Sequence, residues 1–173
     1  NYPYVGEINS RGLDIRRSYI PGPKGSCVLE RRLEEKVFLI KLVPGFDGKI
    51  FQFGIRSGDR SEFVWAKDHV FTNKFNFHGL KEIVDQLKEK PVYFTLDLDV
   101  LDPSVFPGTG TPEAGGVSFQ ELLEAMIQVS HLNIVGFDVN ELSPVYDQSG
   151  SSTAMACKVL RELLIAVMKN RAE

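Results

Sequence analysis

From residue 48 onward, apolar positions recur with two periods. Lys49–Ile55 (KIFQFGI) sets Ile50, Phe51, Phe53 and Ile55 close together, which reads as a strand. Ser61–Asp68 predicts a short helix. In Gly79–Lys90, residues Leu80, Ile83, Val84 and Leu87 fall at i, i+3, i+4 and i+7, one face of a helix. Val92–Asp99 reads as a central strand. Ser118 opens the next helix with a capping box, Ser118-x-x-Glu121, and Phe119, Leu122, Leu123, Met126 and Ile127 form its apolar face. Asn133–Val139 predicts another strand. Ser151–Lys169 predicts the last helix, with Met155, Val159, Leu160, Leu163 and Val167 turned inward. Strands and helices alternate, which argues for α/β architecture: a parallel sheet covered by helices through right-handed crossovers.

Residues 1–48 lack this regularity. Asn1–Asn9 reads as a short strand and Ser10–Ser18 as a turn leading into a helix. Tyr19–Ser26 is a loop by its Pro and Gly content, and Leu29–Lys36 is charged and helix-permissive. Val37–Ile40 is a short apolar run with strand character. No internal repeat and no domain boundary stands out.

Composition narrows the class without changing this outline. The 173 residues suit one domain, with 43% hydrophobic and 25% charged residues, globular values. The net charge of -3 and the lack of a basic stripe argue against nucleic acid as a partner. No apolar run reaches membrane-spanning length. Two cysteines, Cys27 and Cys157, make no disulfide framework, so a cytoplasmic location is expected.

The chemistry gathers in Pro91–Gly116, PVYFTLDLDVLDPSVFPGTGTPEAGG. An apolar run ends in Asp97, Asp99 and Asp102, and a Pro- and Gly-rich loop follows. Asp97 and Asp99 are two apart on this strand, so both side chains leave the same face. Two such carboxylates repel unless a cation sits between them, and oxygen-only ligands suit Mg or Mn. The bland alternative is that all three acids form turns in solvent. Asp102, before Pro103, reads as a loop brace. A second acidic cluster, Asp138, Asn140 and Glu141, ends the next strand and would lie at the same sheet edge. Glu141 could bind metal or pair with a cationic ligand. Arg56, at the end of Gly54-Ile55-Arg56-Ser57, could anchor an anion or a neighbouring loop, or sit in a surface ion pair. His69, His78 and His131 fall away from the acids and read as surface or capping residues.

These residues carry a family resemblance. Thr95-Leu96-Asp97-Leu98-Asp99-Val100-Leu101-Asp102-Pro103 resembles the [ST]-x-D-x-D-x-x-D-P signature of the ureohydrolases, which include arginase and agmatinase. Pro107–Gly116 resembles their P-G-T-G-T-P-E-x-G-G loop. Phe137–Pro144 resembles their F-D-x-x-E-x-x-P segment, and Gly54–Ser57 is similar to the G-I-R-S strand end of the agmatinase branch. The resemblance implies a three-layer α/β/α sandwich with a mostly parallel sheet, of the arginase and deacetylase kind. It implies two manganese ions, with Asp97 and Asp99 as ligands, Glu141 receiving a substrate guanidinium and Thr111 shaping the pocket. Asp138 would support the strand end. The implied reaction is hydrolysis of a guanidino compound, agmatine by preference, to urea and an amine, putrescine in that case. Guanidinobutyrate, other guanidino acids, arginine and formiminoglutamate are the other candidate substrates. A homo-oligomer, trimer or hexamer, is expected by the same analogy.

The chain departs from the family in one respect. The upstream motifs G-G-[DE]-H and D-A-H-x-D, which bring further metal ligands and the expected catalytic His, do not occur. Three readings follow: a degenerate homologue acting as a binding or scaffold subunit, a C-terminal fragment, or a longer chain whose segments are joined within residues 1–48. The third is the expectation, with breaks in the path of the backbone within 9–28 and 40–48. Residues 49–170 would then be the C-terminal half of a single ureohydrolase-like domain spanning 1–173.

Overall fold

A computed structural model describes residues 50–58 and 60–171 in full, and the backbone of 8–9, 12–13, 38–42 and 172. The windows 9–28 and 40–48, where breaks are expected, lie mostly outside the described residues, and the loop over Tyr19–Ser26 and the helix-permissive Leu29–Lys36 lie wholly outside them.

The chain divides into two compact units, residues 1–34 and 35–173. In the first, β1 (Ile8–Asn9) pairs antiparallel with β2 (Gly12–Leu13). A strand therefore occupies part of the Ser10–Ser18 window that reads as a turn and helix start.

The second unit is built on a five-stranded sheet. Its strands are β3 (Phe38–Leu42), β4 (Ile50–Ile55), β5 (Val70–Lys74), β6 (Pro91–Asp97) and β7 (Asn133–Asn140), in the spatial order β5-β4-β3-β6-β7. β4 pairs parallel with β5, and β6 with β7. β3 is antiparallel to both of its neighbours, with Phe38 opposite Phe53 on one side and Leu96 on the other. Four strands thus run one way and the middle strand runs back. This class is the expected α/β sandwich with a mostly parallel sheet. The reversed direction of β3 is invisible to a period-two pattern, which reads the same in both directions.

Helices α1 (Arg60–His69), α2 (Leu80–Leu87), α3 (Phe119–Val129) and α4 (Ser151–Ala172) connect and cover the strands. Phe51, Phe53, Val92, Phe94, Leu96 and Ile134 lie on one sheet face and pack with Leu80, Ile83, Val84 and Leu87 of α2, Leu122, Ala125, Met126 and Val129 of α3, and Val159, Leu163 and Val167 of α4. Each fully buried side chain of this size contributes about 1.5–3 kcal/mol. All six residues of β4 are buried, so this strand is covered on both faces. The crossover from β4 to β5 moves away from the crossover from β6 to β7. Right-handedness then sets α1 on the face opposite α3.

The helical periodicity locates the faces well, with two corrections. Ile127 and Leu160, expected inward, are 48% and 40% exposed, while Ala125 and Val129 are buried. Small or unremarked residues fill the space against the core, and the larger ones sit at its margin. β5 carries no clear sequence signal: α1 runs into it at His69–Val70 without a loop, and Val70 and Phe71 are its only apolar residues.

Caps fix the helix starts. Ser118 accepts from the Glu121 amide at 3.2 Å while Glu121 accepts from the Ser118 amide at 2.7 Å, completing the expected box. At α4, Asp147 accepts from the Ser152 amide at 2.7 Å and from the amide and hydroxyl of Ser149. These donors hold the Asp147 carboxyl down at about 2, the Ser149 and Ser152 side chains foremost.

Two predictions follow from these caps. Ser118→Ala should lower unfolding stability by about 1 kcal/mol in urea titration, as loss of an N-cap does. Asp147→Asn should flatten the acid limb of the stability curve. A carboxyl whose pKa is depressed in the folded state stabilises above its unfolded value near 4, and that contribution is lost as pH falls toward about 2. Urea midpoints measured between pH 5 and pH 2 should fall less steeply in the variant than in the parent.

Candidate metal and substrate site

The site is built where β6 ends. Asp97 is the last residue of β6, and its Oδ1 accepts from the Asp99 amide at 2.8 Å. That bond caps a 3-10 turn over Leu98–Val100, so Asp99 lies in the turn and not on the strand. The expected period-two geometry is therefore corrected. The two acids share a corner because a tight turn folds one over the other.

The burial of these acids is unequal. Asp99 is 3% exposed, among Leu98, Val100 and Leu101, while Asp97 is half-buried. The Asp97 carboxyl is pushed up to about 8, first by burial and then by the charge of Asp99. Glu141 raises it further, while the Asp99 amide and Arg56 offset part of the effect. Asp99 and Glu141 thus both lie within electrostatic reach of Asp97.

Thr109 and Thr111 meet Asp99 from the following loop. The Thr109 hydroxyl donates to Asp99 Oδ1 and the Thr111 hydroxyl to Oδ2 at 3.3 Å. Thr109 is buried and Thr111 exposed. Sequence reasoning named Thr111 and passed over Thr109, although both stand in the same Thr-Gly-Thr triplet.

The loop is pinned at both ends. Asp102 Oδ2 accepts from the amides of Gly115 at 2.8 Å and Gly116 at 3.1 Å, and Oδ1 accepts from the Ser104 amide at 2.9 Å. Asp102 occupies the brace position read from the sequence. Gly116 must lack a side chain, because a Cβ there would lie 2.4 Å from the Asp102 nitrogen. At the other end the Gly108 amide donates to Ser152 Oγ at 2.8 Å, and the Ser143 amide donates to the Gly108 carbonyl at 2.8 Å. The loop is thereby bonded to α4 and to the segment after β7.

β7 delivers the second cluster. Asp138 accepts from the hydroxyls of Tyr93 at 2.7 Å and Thr95 at 2.6 Å and from the Asn140 amide group. Its bonds tie β7 to β6, as a strand-end support does. Glu141 follows at once, exposed, with φ at +67°. A non-glycine residue in the left-handed region is strained, and such strain concentrates at functional sites. His69, His78 and His131 are exposed. The ring of His69 stacks on Trp65 at 4.4 Å.

Two crowded carboxylates form an oxygen donor set that a hard divalent cation fits, and their mutual repulsion is what such a cation relieves. Among the described residues, however, no group of three or more His, Cys, Asp and Glu is arranged to hold a metal ion. Asp97 and Asp99 are the two carboxylates that the described residues place together at this corner.

Known proteins share this arrangement of segments. A family model described as the Arginase family matches residues 12–166. The agmatinase of Bacillus anthracis is 46% identical over 125 residues, covering 69% of this chain and 43% of that protein. The N(1)-aminopropylagmatine ureohydrolase of Thermococcus kodakarensis is 36% identical over 154 residues, covering 86% of this chain and 49% of that protein. A crystal structure from Clostridium difficile is 50% identical with a TM-score of 0.65, covering 68% of this chain and 44% of that one. The chain spans less than half the length of these relatives. With the family match running through the β6 acids, their loop and the end of β7, the chain belongs to the arginase family.

Proposed function

We propose that the protein hydrolyses a guanidino compound, agmatine by preference, to urea and an amine, with Asp97 and Asp99 contributing to a two-manganese centre and Glu141 receiving the guanidinium. The observation that carries this reading is that Asp97 lies opposite Asn140, next to Glu141, at one sheet edge, with Thr109 and Thr111 bonded to the adjoining Asp99. The names of the relatives, an agmatinase and an N(1)-aminopropylagmatine ureohydrolase, favour a guanidino substrate.

The chain's own residues have separate tasks in this reaction. Asp97 and Asp99 would hold the metals, and Thr109 fixes the rotamer of Asp99 through its buried hydroxyl. Glu141 pairs with the planar guanidinium, which a carboxylate can engage through two parallel charge-assisted bonds. The 107–116 loop, with Thr111, forms a wall of the pocket. Bound manganese would supply a water acidic enough to attack the guanidinium carbon at neutral pH. The bond between the guanidinium carbon and the nitrogen that carries the alkyl chain breaks; that nitrogen takes up a proton and departs as the amine, and the carbon leaves with the water oxygen as urea. The remaining ligands and the proton-transfer residue are assigned to parts of the family pattern that this chain does not contain. The second reading, a catalytically inactive homologue serving as a binding or scaffold subunit, is the outcome that the test below separates from the first. A cytoplasmic homo-oligomer completes the proposal.

The test is urea release by the full natural chain from agmatine, guanidinobutyrate and arginine, with manganese added or chelated. Manganese-dependent urea from agmatine is expected, and release from none of the compounds would sink the enzyme reading in favour of the scaffold one. Asp97→Asn and Asp99→Asn should each lower kcat/KM at least about 100-fold, the scale of losing a transition-state contact of about 2.7 kcal/mol. Glu141→Gln should raise KM at least about tenfold, as loss of a charge-assisted bond of about 1.5–3 kcal/mol requires.

A further inference from the structure

The reaction proposed above makes no use of the Gly54–Ser57 strand end, and there we infer that Arg56 is a positioning residue, tying the Asp99 arm of the metal site to the 107–116 loop. Its guanidinium donates to three backbone carbonyls: Nη1 to Val100 at 3.1 Å, and Nη2 to Asp99 at 2.6 Å and Glu113 at 3.0 Å. The first two acceptors belong to the turn that carries the buried ligand. The third belongs to the loop whose threonines meet the carboxylate of that ligand. One planar group thus joins both segments beneath the site.

The approach is close by construction. β4 ends in a bulge between Phe53 and Ile55, and Gly54 takes φ +73° there. A Cβ on Gly54 would lie 2.5 Å from Val100 Cγ2, so β4 packs directly on the 3-10 turn. From the other side, the Cβ position of Gly115 lies 3.9 Å from Arg56 Cδ. The Arg56 side chain is half-buried between the two. Both terminal nitrogens are committed to carbonyls, which disfavours the anion-anchor and surface ion-pair roles that the sequence left open for this residue. A lysine is no substitute, since a single ammonium on a flexible stem lacks the rigid fork that reaches acceptors on two segments.

Loss of Arg56 should therefore loosen Asp99 and the loop together. This inference rests on the metal-site reading, and the experiment separates the two. In the full natural chain, Arg56→Met and Arg56→Lys are compared with the parent. Amide hydrogen exchange of metal-free protein should be at least tenfold faster over residues 99–117 in both variants, with α3 unchanged. Manganese affinity by titration calorimetry should weaken at least tenfold, and KM for the guanidino substrate should rise by a larger factor than kcat falls. Unchanged exchange over 99–117, full recovery in Arg56→Lys, or lowered melting temperature with unchanged manganese affinity would each overturn the role. A parent that binds no manganese defeats the metal reading alone, and the exchange comparison then decides the role of Arg56. Should Arg56→Met fail to fold, Arg56→Lys carries the same comparison.

Discussion

Like charges crowded at the end of β6 set the terms for the rest of this structure. Asp99 is buried, Asp97 sits beside it, and Glu141 adds its charge from the end of β7. Burying carboxylates in this way is costly unless dipoles or cations answer them. The protein answers with the Asp99 amide on Asp97, two threonine hydroxyls on Asp99 and the guanidinium of Arg56 nearby. These offset only part of the cost, since Asp97 still holds its proton far above the usual carboxylate range.

The supporting layers are nested around that corner. Asp102 and Gly116 close one end of the 107–116 loop, and Gly108 fastens the other end to Ser152 and Ser143. Asp147 holds the start of α4 so that Ser152 is in place. Beneath these contacts Leu98, Val100, Leu101 and Phe106 are buried, anchoring the turn to the hydrophobic core. Tightly packed interiors move little, so the positions of polar groups above them are inherited from the core.

Much of this was legible along the chain. The helical face of Gly79–Lys90 follows from spacing alone, because burial on one face imposes a 3.6-residue period, and that of Ser118–Ile127 follows in part, Ile127 being exposed. The capping box of Ser118 and Glu121 is local chemistry and needs no tertiary context. The brace position of Asp102 was readable because an acid before proline, ahead of a glycine-rich loop, has exposed amides to accept from. Other features were hidden. β5 is too short and too polar to announce itself, and the turn that carries Asp99 looks in sequence like two more residues of strand. The inward stripe of α4 included Leu160 on periodicity, while the helix is rotated so that Leu160 lies at the margin.

By itself the sequence determined the α/β class, the capping box of α3 and the acids gathered at the ends of β6 and β7. Those follow from interactions within a few residues, or from the period that burial imposes. Only the tertiary structure decided that β3 runs against its neighbours, that Thr109 meets Asp99, and that Arg56 joins two segments more than forty residues away. Such contacts depend on which strands become neighbours and on how closely glycines let their backbones approach. Neither strand order nor backbone approach leaves a periodic trace along the chain.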